Sequence, residues 1–203
     1  MSRIVVFMNL TLDGVIQAPG RTDEDTRDDF KHGGWATPYG AMSSSEAGES
    51  VPHFGALLLG RRTYEGLYDY WPKQTDNPMT EMLNNMQKYV ASRTLREPLP
   101  WVNSTLLKGN VPEAVAELKA QQPENLDLVI MGSGELIQTL MQHNLIDRYV
   151  FLIHPLVLGS GLRLFREESP FATLQLVSAK ATPTGVVVAT YEPGEPMAGQ
   201  TST

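Results

Sequence analysis

The chain has 203 residues, of which 41% are hydrophobic and 19% charged, a composition typical of one globular domain with a sizeable core. Its formal net charge of −7 argues against general nucleic-acid binding. It contains no cysteine, which excludes disulfides and thiolate metal sites, favours a reducing, cytoplasmic location and leads us to expect no bound metal. No apolar run approaches the ~20 residues of a membrane helix, and the first residues lack the pattern of a secretory signal, so we expect no membrane partner.

Apolar runs bounded by turn residues predict strands at 3–9, 56–60, 87–92, 126–131, 147–156, 173–180 and 185–192. Helical spacing predicts helices near 39–48, 62–69, 77–85, 112–121 and 134–142. Because strands alternate with helices up to residue 142 and only strands follow, we expect an α/β fold with a mainly parallel sheet. An antiparallel hairpin turning at 183–185 finishes it. We expect a single domain at 1–194 and a flexible tail at 195–203, where turn formers accumulate.

The segment 17–55 is long for a loop in a compact domain, and loops of this length tend to be functional or mobile. Its Trp35 forms either a flat wall for a ring-shaped substrate or an anchor to the core. The same alternatives hold for Tyr68 and Trp71, at the end of the helix predicted at 62–69. The acidic run at 23–29 is either a solvated surface or a source of protons.

Two predicted strands end in arginine and hydroxyl residues. Gly60-Arg61-Arg62-Thr63 follows the strand at 56–60, at the expected start of a helix. The strand at 87–92 runs into Ser92-Arg93-Thr94. The guanidinium group offers a rigid fork of donors that matches phosphate. The alternative is an ordinary helix start and turn with solvated arginines.

A third predicted strand ends in Gly132-Ser133-Gly134, and Glu135-Leu136 then begin a helix. A strand that turns through glycines into a helix presents backbone N–H groups and the positive end of the helix dipole, which suit a pyrophosphate. The alternative is a turn that only connects the strand to the helix and binds no ligand. Three strand ends of this kind in one chain favour a dinucleotide lying across strand carboxyl ends. The glycines do not follow the Rossmann spacing.

Taken in order, these motifs resemble the dihydrofolate reductase-like family. Residues 60–65 are similar to its Gly-Arg-x-Thr-aromatic-Glu element, and residues 12–16 to its first loop. Residues 130–136 are similar to its pyrophosphate turn, and residues 146–165 to its late strand and loop. The resemblance covers most of the chain and is closest to the branch with the reductase domain of riboflavin-pathway deaminase-reductases, among its stand-alone bacterial members. It implies a three-layer αβα fold and a homodimer.

The resemblance also implies an NADPH-dependent reductase, which transfers a hydride to a C=N or C=O of a small heterocyclic, pyrimidine- or pterin-like substrate. The pyrophosphate would lie on 132–136, the 2′-phosphate at Arg61 or Arg93, and the nicotinamide near Asn9 and the first loop. Asp13 is the candidate for proton supply. The implied cofactor-binding residues are Gly14, Ile16, Gly60, Arg61, Arg62, Thr63, Ser92, Arg93, Thr94, Gly132, Ser133, Gly134, Glu135 and Leu136.

One departure from the family concerns the substrate. True dihydrofolate reductases hold the pterin with a buried carboxylate after the first loop, backed by a threonine on a late strand. Residues 30–50 offer no convincing equivalent of the acid, and Ile153 stands at the late-strand position. The departure argues against folate reduction and leaves two alternatives to an enzyme. These are a nucleotide-binding regulatory protein of the same fold without turnover, and a structural homodimer whose glycine turns are punctuation only.

Overall fold

The computed structural model describes residues 2–40, 52–167 and 169–195. Its strands are β1 (Ile4–Thr11), β2 (Phe54–Gly60), β3 (Gln87–Ala91), β4 (Ser104–Leu107), β5 (Asp127–Met131), β6 (Arg148–His154), β7 (Leu174–Ala181) and β8 (Val187–Pro193). Its α-helices are α1 (Arg61–Tyr70), α2 (Pro78–Asn85), α3 (Val111–Gln121) and α4 (Gly134–Gln142). Short 3-10 turns cover Arg27–Asp29, Thr37–Tyr39 and Trp71–Lys73.

The strands form one sheet in the order β4-β3-β2-β5-β1-β6-β8-β7. The pairs β2–β3, β3–β4 and β2–β5 are parallel, whereas β6–β8 and β7–β8 are antiparallel. This mostly parallel sheet with a C-terminal antiparallel hairpin confirms the predicted architecture. The hairpin turns where expected, since the Thr182 N–H donates to the Val186 carbonyl at 2.8 Å and Gly185 has a φ of +85°.

The predicted strands and four of the predicted helices are present, with bounds close to those expected. One strand was missed, because β4 has only four residues and begins with two polar ones. Its extended form depends on pairing with β3, in which Lys88 lies opposite Ser104. The helix predicted near 39–48 lies outside the described residues from residue 41 onward, as does the predicted tail beyond Glu195.

The chain divides into two compact units. The first comprises the residues up to Val5 together with His53–Ile146, and the second comprises Val6–Pro52 and the residues from Asp147 onward. In the first unit, parallel strands bury continuous apolar runs such as Leu57-Leu58-Leu59, as expected for strands covered on both faces. The second unit has its own apolar cluster, which consists of Val15, Ala18, Phe30 and Trp35. The single domain expected over 1–194 stays a prediction.

The helices begin in two different ways. The Asn77 side chain caps α2 by accepting from the Met79 N–H at 3.0 Å, and Asn110 caps α3 in the same manner. The residues before α1 and α4 make no such side-chain bond to their helices. Within the described part of the chain, no helix is long and apolar enough to cross a membrane.

Candidate functional site

Three of the predicted phosphate-binding segments lie side by side in the first unit. The strands β3, β2 and β5 are neighbours in the sheet and run parallel, so their carboxyl ends meet at the same edge. Ser92-Arg93-Thr94 follows β3, and Gly60-Arg61-Arg62-Thr63 joins β2 to α1. The 132–136 turn joins β5 to α4. The geometry thus brings together segments that are far apart in the sequence.

Two hydrogen bonds tie the β2–α1 turn to the β5–α4 turn. The Gly60 N–H donates to Ser133 Oγ at 2.9 Å, and the Ser133 N–H donates to Thr63 Oγ1 at 3.0 Å. Ser133 adopts a left-handed conformation, with φ 61° and ψ 47°, at the position before α4. Its hydroxyl therefore supports the neighbouring turn instead of capping its own helix. We call these two bonds the turn lock.

The beginnings of α1 and α4 lack side-chain caps, because Gly60 has no side chain and the Ser133 hydroxyl accepts from Gly60 instead. The first N–H groups of an α-helix have no partner within the helix, and they carry the positive end of its dipole. In α4 these groups belong to Gly134, Glu135 and Leu136. The Leu136 side chain is buried and the Glu135 side chain is exposed, so the backbone is what these residues offer to an anion. Two uncapped helix beginnings at adjacent strand ends suit a pyrophosphate.

Gly132 is required by the shape of this turn. Its φ is +67°, a conformation that costs any residue with a Cβ atom. A Cβ added at Gly132 would lie 2.9 Å from Thr63 Cγ2 and 3.1 Å from Thr63 Oγ1. The side chain that completes the turn lock therefore fills the space beside this glycine.

The arginines at the strand ends differ in their availability. Arg61 forms an ion pair with Glu65 at 2.9 Å, one helical turn away. Arg62 and Arg93 are exposed, and neither has an ion-pair partner among the described residues. Ser92 Oγ accepts from the Thr94 N–H at 3.1 Å, which shapes the turn that presents Arg93. Two helix beginnings without side-chain caps and two arginines without ion-pair partners among the described residues together suit the phosphates of a dinucleotide.

The predicted aromatic residues of the first unit pack within that unit. The Tyr68 ring lies 6.1 Å from the Trp101 ring and 6.3 Å from the Tyr64 ring. Trp101 is buried, and its backbone N–H donates to Tyr64 Oη at 3.0 Å. Trp71 contacts Tyr70 edge-on. These contacts favour the packing alternative for Tyr68 and Trp71. The central residue, Trp101, was missed from the sequence because it lies in a loop with no periodic pattern.

In the second unit, the Asp13 carboxylate organises the loop after β1. Asp13 Oδ1 accepts from Thr11 Oγ1 at 2.7 Å and from the Leu158 N–H at 3.2 Å. Asp13 Oδ2 accepts from the Gly159 N–H at 2.9 Å and from Arg163 Nη2 at 3.2 Å. The carboxylate thereby connects the first loop to the loop after β6.

These bonds favour the ionised form of Asp13. Burial opposes ionisation, but the hydrogen bonds from Thr11 and from the Gly159 and Leu158 backbone outweigh it and lower the pKa of Asp13 to about 2. A carboxyl group with this pKa is ionised at neutral pH and has no proton to donate. The geometry therefore favours a structural role over the predicted role in proton supply.

We expect Asp13→Asn to lower the free energy of unfolding by about 1–2 kcal/mol at neutral pH. Because the pKa is lower in the folded state, the contribution of Asp13 is present above about pH 5 and is lost as the pH falls through the folded value. Urea unfolding of both proteins at about pH 7 and about pH 3 measures the difference, which should shrink by roughly half at the lower pH. A difference independent of pH would contradict this assignment.

The other residues expected near the nicotinamide lie in the same loop. Gly14 has a φ of +78°, and its N–H donates to the Thr11 carbonyl at 2.9 Å. The Ile16 N–H donates to the Leu162 carbonyl at 2.8 Å. Both N–H groups thus serve the fold of the loop, and the nicotinamide contact at this loop stays a prediction.

The acidic run at 23–29 is largely taken up by local contacts. Asp25 pairs with Arg27, whose hydrogen bond lowers the pKa of that carboxyl. Glu24 accepts from two backbone N–H groups of the same loop. Among the described residues the one fully interior carboxylate is Asp127, which belongs to the first unit and accepts two bonds from Arg3, at 3.0 and 3.1 Å. The described residues also contain no cluster of His, Asp and Glu suited to a metal.

Trp35 packs into the apolar cluster of the second unit. It is 7% exposed, packs with Val15 and Phe30, and donates from Nε1 to the Gln17 carbonyl at 2.7 Å. Its ring also lies 5.1 Å from the His154 ring. His154 was not singled out from the sequence, although a histidine that ends an apolar strand just before a proline is an available signal.

Comparisons with known proteins agree with this geometry. The family model described as the RibD C-terminal domain matches residues 2–188. Among curated proteins, the uncharacterized protein YyaP of Bacillus subtilis (strain 168) is 27% identical over 194 residues, which cover 93% of this chain and 94% of YyaP.

Solved structures show the same fold at low sequence identity. A protein provisionally assigned to riboflavin biosynthesis, from Shewanella sp. PV-4, superposes with a TM-score of 0.68 at 22% identity, over 96% of this chain and 100% of its own. Dihydrofolate reductase from Enterococcus faecalis, in complex with NADP(H), superposes with a TM-score of 0.57 at 16% identity, over 95% of this chain and 97% of its own. A deaminase and uracil-derivative reductase from Thermotoga maritima superposes with a TM-score of 0.58 at 13% identity, over 95% of this chain and 57% of its own. The chain therefore belongs to the RibD C-terminal domain family and has a dihydrofolate reductase-like fold.

Proposed function

We propose that the protein is an NADPH-dependent reductase that transfers a hydride to a C=N or C=O of a small heterocyclic, pyrimidine- or pterin-like substrate. Its family and fold are those of reductases, and one protein of the same fold is complexed with NADP(H). The observation that carries the proposal is the turn lock, which holds two uncapped helix beginnings at neighbouring strand ends.

In this proposal the phosphates are held by residues of the first unit. The backbone N–H groups at the start of α4 would bind the pyrophosphate. The Thr63 hydroxyl accepts from Ser133, so its own proton remains available to a phosphate oxygen. Arg93 would meet the 2′-phosphate, and it suits this role better than Arg61 because Glu65 already pairs with Arg61. When bound, the cofactor supplies the hydride from its nicotinamide ring, while the protein binds and orients.

NADPH should bind about tenfold or more tightly than NADH. A charge-assisted contact to the 2′-phosphate contributes on the order of 1.5–3 kcal/mol, which NADH cannot gain. Calorimetric titration with both cofactors measures the preference. Arg93→Ala should remove most of it, whereas Arg61→Ala, the matched control, should change it less. Equal affinities of the wild type, or tighter NADH, would refute the assignment of the arginines.

A second candidate function is nucleotide binding without turnover, in a regulatory protein of the same fold. It is favoured by one observation: among the described residues, the interior carboxylate is already bound to Arg3. Steady-state oxidation of NADPH with candidate heterocycles separates this function from the reductase. A wild type that does not bind NADPH would exclude both of these functions.

We also propose that the protein is a cytoplasmic homodimer. The absence of cysteine fits a reducing compartment. The sheet ends at β7, whose Leu176 and Val177 side chains are each 52% exposed, and an open apolar edge strand is a ready surface for a second copy. Light scattering of the purified chain measures the oligomeric state.

A further inference from the structure

His154 presents an unused hydrogen-bond acceptor inside the second unit. The residue ends β6 and is 3% exposed, and its Nε2 lies 2.9 Å from Asn9 Oδ1. An amide oxygen only accepts, so Nε2 carries the proton and Nδ1 is the acceptor of the neutral ring. Burial lowers the pKa of His154, which keeps the ring neutral at physiological pH.

The Nδ1 atom of His154 is buried and has no hydrogen-bond partner among the described residues. Leaving a buried acceptor unsatisfied costs about 1–3 kcal/mol, and native structures retain few such atoms. Residues with unsatisfied polar atoms in the interior often have a role outside the packing of the fold. The atom therefore marks a place where a ligand would add a missing bond.

Two aromatic rings hold the His154 ring edge-on. Trp35 lies 5.1 Å away at an interplanar angle of 85°, and Tyr39 lies 5.0 Å away at 77°. Trp35 is fixed by its bond to Gln17 and by the apolar cluster. Tyr39 is only partly buried and ends the short turn Thr37–Tyr39. Of the two rings beside His154, Trp35 is thus the more deeply buried and Tyr39 the more exposed.

We propose that His154 Nδ1 binds the substrate, accepting a hydrogen bond from a ring N–H or amino group of a planar heterocycle that takes the place of the Tyr39 ring. The substrate class rests on the proposed function. Because Nδ1 only accepts, it selects ligands that carry a donor, such as pyrimidines and pterins with N–H groups. A simple ketone or aldehyde has no such donor, so this contact restricts the substrate to nitrogen heterocycles that carry N–H groups, whichever of their C=N or C=O bonds is reduced.

The test combines ring nitrogen NMR with two ligands that carry N–H donors and a control ligand that has none. Protein labelled with 15N-histidine is titrated with 5,6-diaminouracil and with pterin, with and without NADP⁺, and then with 1,3-dimethyluracil, which lacks N–H donors. We expect the Nδ1 resonance of His154 to move towards that of a hydrogen-bonded acceptor with at least one N–H ligand, and to stay in place with the dimethyl compound. An unchanged resonance with every N–H ligand, or equal shifts with the dimethyl compound, would overturn the proposal.

Two variants distinguish the effect of the Nδ1 acceptor on ligand binding from the effect of side-chain packing. His154→Phe keeps an aromatic ring without the acceptor, and should weaken binding of the N–H ligand about tenfold or more. His154→Asn places an oxygen near the Nδ1 position and should recover most of that loss. If His154→Phe does not fold, the Asn variant and the wild-type NMR titration still show whether His154 binds the ligand. An unchanged ligand affinity in a folded His154→Phe would contradict the proposal.

Cofactor binding tells this proposal apart from the proposed function. Affinity for adenosine 2′,5′-bisphosphate, which carries the 2′-phosphate but no nicotinamide, should be the same by calorimetry in the wild type and in both His154 variants. If the wild type does not bind NADPH, the proposed reductase function is refuted, whereas the His154 resonance still reports whether a heterocycle binds. If the wild type binds NADPH but no N–H ligand shifts the His154 resonance, only the proposed role of His154 in substrate binding is refuted.

Discussion

Replacing Gly132 with valine is expected to lower NADPH affinity by on the order of a hundredfold or more, because it disrupts the site that would hold the pyrophosphate. The φ of +67° at this position disfavours a β-branched residue. The new Cβ would also lie 2.9 Å from Thr63 Cγ2 and push Thr63 away from Ser133. We expect about 2 kcal/mol of lost stability beside the lost binding.

Two further variants make the Gly132 experiment specific. Gly66, within α1, has open space around its Cα, so Gly66→Ala should raise stability slightly and leave NADPH affinity unchanged. Thr63→Val keeps the shape of the side chain but removes the acceptor of the Ser133 N–H, and should weaken NADPH binding without a steric clash. Calorimetry and circular dichroism report binding and folding. A folded Gly132→Val that binds NADPH normally would show that the turn only connects β5 to α4 and does not bind the cofactor.

Dihydrofolate is expected to be reduced about 10²–10⁴-fold more slowly than by a true dihydrofolate reductase, the cost of a missing general acid. Pterin reduction needs a buried acid beside the ring. Among the described residues the interior carboxylate is Asp127, which is bound to Arg3, while Asp28 and Asp29 are exposed. Ile153 has no side-chain group to hydrogen-bond such an acid.

The dihydrofolate assay follows NADPH oxidation at saturating cofactor. The same assay with 5,6-diaminouracil and other N–H heterocycles controls for an enzyme that is intact but prefers another ring. Robust turnover of dihydrofolate, inhibited tightly by an antifolate, would contradict the expectation. It would mean that Asp28, Asp29 or Glu46 supplies the acid, and of these Glu46 lies outside the described residues.

The strands and helices follow from the sequence because their signals are local. A buried parallel strand needs a short continuous apolar run, and Leu57-Leu58-Leu59 before Gly60 is such a run. The spacing of apolar residues likewise placed the helices. The strand β4 was missed because Ser104 and Thr105 have no local reason to be extended, and only the edge of β3 makes them so.

The sequence by itself determined which segments have residue types suited to phosphate, since glycine, arginine and hydroxyl residues at strand ends are visible one segment at a time. The tertiary structure decided which of these segments lie side by side. The turn lock joins Thr63 to Ser133 across 70 residues, and His154 meets Asn9 across 145. Periodicity and local spacing carry no information about such pairs, because the order of strands in the sheet sets which ends become neighbours. The same packing gave Asp13 and Trp35 contacts that favour structural roles, and among the described residues it left His154 Nδ1 without a hydrogen-bond partner.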